Sequence, residues 1–411
     1  MTTEDTLAAA PHPGGGRPRP GHRALIGGLA VTQTVGYGVL FYAFAVLLAP
    51  MGTGLGASVT QVTGALTLAV LVSAATAIPV GRWLDRHGGR WLMTSGSVLA
   101  TAAVVAWSQV RTVVELYAVF AVLGVAAAMV QYEAAFAVII QTVRASRRAS
   151  SMLAVTVVAG FASSIFLPLT GVLTAHLHWR TAILVLAGVH GLLTVPIHAL
   201  VVPAAGRTGQ RAPAASGAVR LALRDRGFWL LVVGFSLQGA AMTTVAVHLV
   251  AYLTRLGHPV VFATTTAGLL GVLSVTGRVL TTGLRRYGST AAIAAAVFVL
   301  QAGAVAALPV LGGSPAGAVG CVVAFGLGFG IASVTRPALN ADRYPTSAYA
   351  SISGAQNLPV VLAKASAPLA AAAVLTASTS YTPVMVGTAV ACLLAAACLL
   401  ALDRARVTAA P

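Results

Sequence analysis

The chain has 411 residues, of which 58% are hydrophobic and 8% are charged, with a formal net charge of +17. A mean hydropathy of +0.89 excludes a soluble globular domain and predicts an all-α polytopic membrane protein. The positive charge is spread in small groups between apolar stretches, which excludes a basic nucleic-acid-binding domain. Cys321, Cys392 and Cys398 lie in apolar stretches without the spacing of metal ligands, so neither a metal site nor a disulfide framework is expected.

Residues 1–22 contain prolines and glycines but no apolar run, so they are predicted to form a disordered cytoplasmic tail. Apolar runs follow, each close to the roughly 20 residues that a helix needs to cross a bilayer. Only helices satisfy all their backbone groups within one segment in lipid, so each run is predicted to be a transmembrane helix. We number them spans 1 to 12, at residues 24–49, 59–80, 91–109, 113–141, 151–175, 181–201, 228–253, 261–284, 290–310, 315–338, 350–376 and 384–402.

Arginines mark one side of the predicted membrane. They lie in the tail, in the loops after spans 2, 4 and 8, in the stretch after span 6 and at the C-terminus, whereas the other side carries only Arg111, Arg180 and Arg255. The positive-inside rule therefore predicts a multi-pass protein of the cell (inner) membrane with both termini in the cytoplasm.

The stretch at 203–227 is the longest polar interruption and is predicted to be a cytoplasmic linker. It divides the chain into two halves of six spans, residues 23–202 and 228–403, with a short cytoplasmic tail at 404–411. The last part of the linker, around residues 218–226, is expected to form a short helix at the membrane surface.

The two halves repeat weakly. Asp85-Arg86-His87-Gly88 after span 2 has a counterpart 200 residues later in Arg285-Arg286-Tyr287-Gly288, and Pro168 in span 5 has Pro368 in span 11. Two six-helix repeats related by an axis along the membrane normal hold a substrate at their interface. A site near the middle of the membrane is therefore expected.

The loop after span 2 contains Gly81, Asp85, Arg86, Gly88 and Arg90. This spacing resembles the signature loop between the second and third helices of the major facilitator superfamily of transporters. Gly89 departs from the pattern, because the family usually has another cation there. The resemblance implies the twelve-helix major facilitator fold and a gating role for the loop. We expect Gly81 and Gly88 to allow a tight turn, Asp85 to bridge helix ends, and the arginines to hold the loop at the cytoplasmic face.

Ionisable side chains inside the spans are the candidates for function, since each costs roughly 2.5 to 3.5 kcal/mol on the lenient insertion scale. Arg278 in span 8 and Lys364 in span 11 are two of them. An arginine and a lysine in these two helices resemble the monocarboxylate-transporter branch, including the oxalate:formate exchangers. The stretches 132–137 and 336–339 are similar to that branch as well. The resemblance implies that Arg278 and Lys364 hold a substrate carboxylate. Pairing of Lys364 with a buried carboxylate, and a gate role for Arg278, are the alternatives.

Glu133 in span 4 is the main carboxylate left at depth, because the acidic residue that the branch carries in the first half of span 8 is absent. It either carries a proton or neutralises Arg278, Lys364 or Arg336. We favour neutralisation.

Three further side chains are candidates for substrate contact. His248 in span 7 has a side chain that titrates near physiological pH, although a packing role is commoner for a lone histidine in a helix. Tyr37 and Tyr42 in span 1 are expected to offer hydroxyl groups to a substrate. The sequence contains no group of residues typical of a catalytic site. Neither an enzyme activity nor a cofactor is therefore expected.

These patterns predict a secondary transporter that moves a small organic anion, a mono- or dicarboxylate, by rocking two halves around a central site. The protein is expected to lie in the lipid bilayer and to function as a monomer. Whether a proton is transported together with the anion is left open. The first alternative is a proton-coupled exporter of drugs or other small metabolites. Span 5 lacks the glycine-proline pair usual in such exporters, and a cationic cavity disfavours cations. A non-transporting membrane sensor or scaffold is the remaining alternative.

Overall fold

The computed structural model describes residues 20–203, 220–284, 287–344 and 349–407. Most of the predicted tail at 1–22 and of the linker at 203–227 lies outside these ranges. Only the backbone is described for residues 20, 78, 85, 86, 145, 149, 278, 279, 281–283, 341, 349–351 and 405–407.

The described part of the chain is helical throughout and contains no strand, which confirms the all-α prediction. Eleven of its helical segments are long and apolar enough to cross a membrane, and span 10 is an interrupted twelfth. The first helix begins at Pro20 and the last ends at Val407. Both therefore extend beyond the outer bounds predicted for the two halves, residues 23 and 403. The spans are Pro20–Tyr37, Gly38–Tyr42 and Ala43–Leu55 (span 1), Val59–His87 (2), Gly89–Gln109 (3), Val113–Val130 and Tyr132–Thr142 (4), Ala145–Ala159 and Ala162–His176 (5), Trp179–Val201 (6), Arg226–Arg255 (7), Val260–Leu284 (8), Thr290–Leu311 (9), Pro315–Gly326 and Ala332–Arg343 (10), Tyr349–Ser378 (11), and Thr382–Val407 (12).

Local sequence explains where several spans begin. Span 2 starts at a capping box, in which the Ser58 hydroxyl accepts from the Gln61 amide at 3.2 Å and the Gln61 side chain accepts from the Ser58 amide at 2.9 Å. Thr112 and Ser314 cap spans 4 and 10 in the same side-chain-to-backbone manner. These caps satisfy amide groups that a helix start otherwise leaves without partners.

Successive spans alternate in direction, so residues 20 and 407 lie on one side of the membrane, which we call the terminal side. The hydrophobic core is shared between the halves on the opposite side, where Ala45 and Val46 of span 1 pack with Val245 and Leu249 of span 7. On the terminal side each half has a core of its own, around Leu84 in the first and Phe228 in the second, with no residue in common among the described ones. Within the part of the chain that the structure describes, the molecule is therefore closed on the opposite side and divided on the terminal side.

Hydrogen bonds between the halves follow the same division. The hydroxyls of Thr60 and Thr376 are 2.9 Å apart near the ends of spans 2 and 11 on the opposite side. Closer to the middle, Thr67 donates to the carbonyl oxygen of Ala365 at 2.9 Å, and Ser164 donates to that of Gly268 at 2.6 Å.

The connection between spans 2 and 3 differs from the expected loop. Span 2 continues as a helix to His87, so Gly81 lies inside it, and the prediction of a turn at Gly81 is wrong. Gly88 alone makes the turn, with φ of 79° in the region that favours glycine. A Cβ on Gly89 would overlap Val138 of span 4, which explains why a larger residue is absent there. The Arg90 guanidinium donates to the carbonyl oxygen of Val202 at 2.7 Å and so ties span 3 to the end of span 6.

Candidate functional site

Span 4 is interrupted at Gln131, whose backbone is extended, with φ of −82° and ψ of −167°. The interruption leaves the carbonyl oxygen of Val130 without a helical partner. The side chain of Gln33 in span 1 donates to that oxygen at 2.7 Å. A buried backbone acceptor is thereby satisfied in a region where water is scarce.

Glu133 follows this interruption and lies in the first turn of the segment Tyr132–Thr142. The start of a helix carries a partial positive charge, which stabilises a carboxylate at this position. The side chain is exposed, and no hydrogen bond or ion pair joins it to another described residue. The ion pair expected with Lys364 or Arg336 is therefore not formed in this conformation.

Span 1 supplies the aromatic groups next to Glu133. The rings of Tyr37 and Tyr132 have centroids 4.6 Å apart, and Tyr37 lies within electrostatic range of Glu133 and Tyr42. Tyr37 immediately precedes a π-helical turn, Gly38–Tyr42, and Tyr42 is its last residue; such turns often mark functional sites. A Cβ on Gly38 would overlap the Phe166 ring of span 5, so only glycine allows this close approach.

Span 10 is also interrupted. The amides of Gly328, Phe329 and Ile331 donate to carbonyl oxygens three residues earlier in place of the α-helical four. The Gln301 side chain of span 9 donates to the carbonyl oxygen of Phe325 at 3.0 Å. Arg336 lies in the helical segment that follows. Its guanidinium donates to the Asn357 side chain at 3.2 Å and to the carbonyl oxygen of Ser353 at 3.3 Å, both in span 11. Neutral acceptors from span 11 thus hold this cation in place.

Lys364 lies halfway along span 11. Its aliphatic stem passes Gly239 of span 7, where an added Cβ would lie 2.7 Å from the lysine Cε. Thr243, also in span 7, donates to the carbonyl oxygen of Lys364 at 3.0 Å. The side chain is exposed although protein surrounds it closely, so it lines an interior space and does not face lipid.

The ammonium group of Lys364 has no hydrogen-bond or ion-pair partner among the described residues. The charged group within electrostatic range is another cation, Arg336. An isolated ammonium at this depth is costly, and a like charge nearby raises the cost. The side chains of spans 10 and 11 therefore create a place where a bound anion would lower the free energy.

His248 is fully buried between spans 7 and 11. Its Nε2 donates to the carbonyl oxygen of Pro368 at 2.9 Å, and its ring lies 6.0 Å from that of Tyr381. These contacts are those of a buried packing residue. The side chains of Arg278, Asp85 and Arg86 lie outside the described residues, so only their helical positions are known.

A second polar cluster lies on the terminal side, where span 7 begins and span 10 ends. Asp225 accepts two hydrogen bonds from Arg343, at 2.6 and 2.7 Å, and one from the Tyr344 hydroxyl at 2.8 Å. Asp225 also caps span 7 by accepting from the Gly227 amide at 3.0 Å. The hydrogen bond from Arg343 holds the pKa of the Asp225 carboxyl well below its usual range. A Cβ on Gly227 would overlap the Arg343 guanidinium, which would have to move away from its position beside Asp225.

Sequence reasoning missed three parts of this site: the interruptions in spans 4 and 10, the position of Arg336 within electrostatic range of Lys364, and the Asp225 cluster. A signal existed for some of them. The glycines at 326, 328 and 330 weaken span 10 as a helix, and Asp225 precedes span 7 as an N-cap residue would. The pairing of Asp225 with a residue more than a hundred positions away has no local signal.

Comparisons with known proteins agree with this geometry. The family model described as Major Facilitator Superfamily matches residues 30–368. The chain is similar to a bacterial homologue of the human lysosomal transporter Spinster in an inward-facing and unoccupied conformation, with a TM-score of 0.78 and 14% identity over 95% of this chain and 99% of that one. It is also similar to a mutant of the nucleoside transporter NupG, with a TM-score of 0.72 and 12% identity over 93% of this chain and 99% of that one. No curated protein matches the sequence. Identities this low show the fold alone.

Proposed function

Because the chain belongs to the major facilitator superfamily of transporters, we propose that it moves a small organic anion, a mono- or dicarboxylate, by alternating access. Lys364 and Arg278 bind the carboxylate in this proposal, and Arg336 is a further cation on its path. Tyr37, Tyr42 and His248 are proposed contacts or supports of the same site.

The proposal rests on one observation, the surroundings of the ammonium group of Lys364. It lines an interior space, it has no acceptor among the described side chains, and its charged neighbour is Arg336. A carboxylate bound there would gain charge-assisted hydrogen bonds, each worth roughly 1.5 to 3 kcal/mol. A cation would meet repulsion at the same point.

The orientation of the protein in the membrane is also part of the proposal. The arginine distribution makes the terminal side cytoplasmic, which would make this conformation inward-facing in the cell (inner) membrane. The halves, proposed at 23–202 and 228–403, would then rock about the shared core on the opposite side. Gly81, Asp85, Arg86, Gly88 and Arg90 would form part of the cytoplasmic gate that closes when the molecule turns outward.

The test is counterflow of labelled lactate, pyruvate, formate and oxalate in proteoliposomes, with and without a pH gradient. Lys364→Gln is expected to weaken binding of the transported anion about ten- to a hundredfold. Leu362→Ala is the matched control, since it changes an exposed apolar residue of the same helix and should leave the affinity within about twofold. Unaltered affinity in the Lys364→Gln protein would contradict the anion site.

One observation favours a second function, proton-coupled export of drugs or other small metabolites. Glu133 is a carboxylate in a membrane span without an ion-pair partner among the described residues, which suits a group that takes up a proton or a cationic substrate. Glu133→Gln distinguishes the two functions. In an anion transporter this variant still exchanges anion for anion, whereas in a cation exporter it loses substrate affinity.

A further inference from the structure

The segment at 220–229, where the second half begins, presents arginines and apolar side chains together at the surface. Arg220, Arg224 and Arg226 are exposed. Leu221 is 70% exposed, Leu223 43% and Trp229 49%. Apolar side chains on the terminal face of a membrane protein, interleaved with cations, are typical of a segment that lies in the headgroup region of the bilayer.

The three arginines have no counter-charge among the residues that the structure describes. Neither a hydrogen bond nor an ion pair is described for their guanidinium groups. Asp225 is the acid within the segment, but its carboxylate is directed inward to Arg343 and Tyr344. Residues 204–219, which precede the segment, contain no Asp or Glu. Within the described residues, the positive charge is therefore available to an anion from outside them.

The segment is also fixed to the body of the protein. Ala222 is 4% exposed and belongs to the terminal-side core of the second half. The Trp229 indole donates to the carbonyl oxygen of Leu223 at 2.9 Å. Asp225 joins the segment to the end of span 10 through Arg343. A ligand bound here would contact a preformed surface that is connected to spans 7 and 10.

We propose that residues 220–229 form a binding site for the headgroup of an anionic phospholipid. The guanidinium groups of Arg220, Arg224 and Arg226 bind the phosphate, for which the planar fork of arginine is well suited. Leu221, Leu223 and Trp229 lie against the upper acyl chains. The lipid belongs to the leaflet on the terminal side, and the site is independent of the transported substrate.

The test is a titration of the detergent-solubilised full chain with dioleoyl phosphatidylglycerol or dioleoyl phosphatidylcholine, with bound lipid counted by native mass spectrometry. The wild type is expected to retain phosphatidylglycerol in preference to phosphatidylcholine. Each basic residue near an anionic surface contributes about fivefold in affinity, so a variant with Arg220→Gln, Arg224→Gln and Arg226→Gln is expected to bind phosphatidylglycerol about a hundredfold more weakly. The corresponding triple lysine variant keeps most of the preference, because it keeps the charge.

Two controls separate lipid binding from a loss of structure. Arg111→Gln removes an exposed arginine on the opposite side and should leave retention unchanged, in contrast to Arg224→Gln. A variant with Leu221→Ser and Leu223→Ser should bind both lipids several-fold more weakly while keeping the preference for the anionic one. If the triple glutamine variant unfolds, the test is the retention of phosphatidylglycerol by Arg224→Gln compared with that by Arg111→Gln. Equal retention of the two lipids by the wild type, or equal retention of phosphatidylglycerol by Arg224→Gln and Arg111→Gln, would overturn the proposal.

Discussion

Span 4 in the first half and span 10 in the second are both interrupted near the middle of the membrane, but they carry opposite charges beyond the interruption. In each, a glutamine from a neighbouring span donates to a carbonyl oxygen at the interruption: Gln33 to Val130 and Gln301 to Phe325. Span 4 then continues with Glu133, and span 10 with Arg336. The first half thus presents a carboxylate to the divided terminal side, and the second half presents cations.

The two charges are held by different means. Glu133 lies in the first turn of a helical segment, where the backbone itself stabilises a carboxylate. Arg336 instead depends on groups from span 11, the helix that also carries Lys364. Side chains from a second helix hold the cation, whereas the carboxylate is stabilised mainly by the backbone of its own segment, with the Tyr37 ring of span 1 beside it. Changes in helix packing should therefore affect anion binding more than the carboxylate.

The largest effect is expected from Gly239→Val in span 7. A Cβ at this position would lie 2.7 Å from Lys364 Cε and 3.0 Å from its Cγ, so valine displaces the lysine stem from its path. Anion counterflow should fall below detection while the protein remains folded. Gly303→Val in span 9 is the control, because no atom lies within 4 Å of its Cβ position. Equal counterflow in the two variants would show that the position of Lys364 is not critical.

The next effect is expected from Arg336→Gln, which removes the charge from the cation that span 11 holds. The loss of a charged hydrogen bond of roughly 1.5 to 3 kcal/mol lowers anion affinity about ten- to a hundredfold. Affinity is measured by counterflow at graded substrate concentrations. Thr335→Ala, a neighbour whose hydroxyl bonds within its own helix, is the control. If Arg336→Gln binds the anion as the wild type does, Arg336 is a support of helix packing only.

On the terminal face, the second half is held by the charged groups around Asp225. Asp225→Asn should lower the free energy of unfolding by roughly 1.5 to 3 kcal/mol, measured by thermal or denaturant unfolding in detergent. Because the folded-state pKa of Asp225 is lowered, its stabilisation is fully present above the usual carboxyl pKa of about 4 and is lost as the pH falls through the lowered value. The wild type should thus lose this contribution only in acid. Wild-type stability in Asp225→Asn at neutral pH would rule out the cluster as a clamp.

The first half is held on the same face by close packing, which predicts a smaller and purely steric effect. Gly89→Ala brings a Cβ into Val138 and should cost about 1 to 3 kcal/mol of stability. Gly81→Ala lies inside a helix with no atom within 4 Å of its Cβ position, and it should be neutral or stabilising by up to about 1 kcal/mol. The free energies of unfolding of the two variants are compared in detergent. Equal stability of the two variants would contradict the close approach of spans 3 and 4.

Much of the fold follows from hydropathy and arginine placement, because the length of an apolar run is fixed by the bilayer. The predicted spans 9 and 11, at 290–310 and 350–376, agree closely with the helices Thr290–Leu311 and Tyr349–Ser378. Hydropathy did not predict that Gly81 lies within a helix, since helices extend beyond the lipid and the sequence there is polar. Nor did it predict which side chains meet: the contact of Lys364 with Gly239 depends on the packing of two helices that are far apart in sequence. The resemblance to the monocarboxylate branch pointed to Lys364, and its role stays a prediction.

The shared core on the opposite side sets a condition on what can be carried. Reversal of the molecule requires the apolar contacts between span 1 and span 7, such as Ala45 and Val46 with Val245 and Leu249, to separate. A substrate shifts such an equilibrium only by its difference in affinity for the two conformations. A ligand that touches the second half alone keeps the same contacts in both conformations and contributes nothing to the shift. A ligand long enough to contact both Lys364 and the tyrosines of span 1 would favour the conformation in which the two halves approach each other on the terminal side. Under the proposed function, length is therefore a criterion of transport separate from charge, and formate, the shortest of the test anions, should show the slowest counterflow.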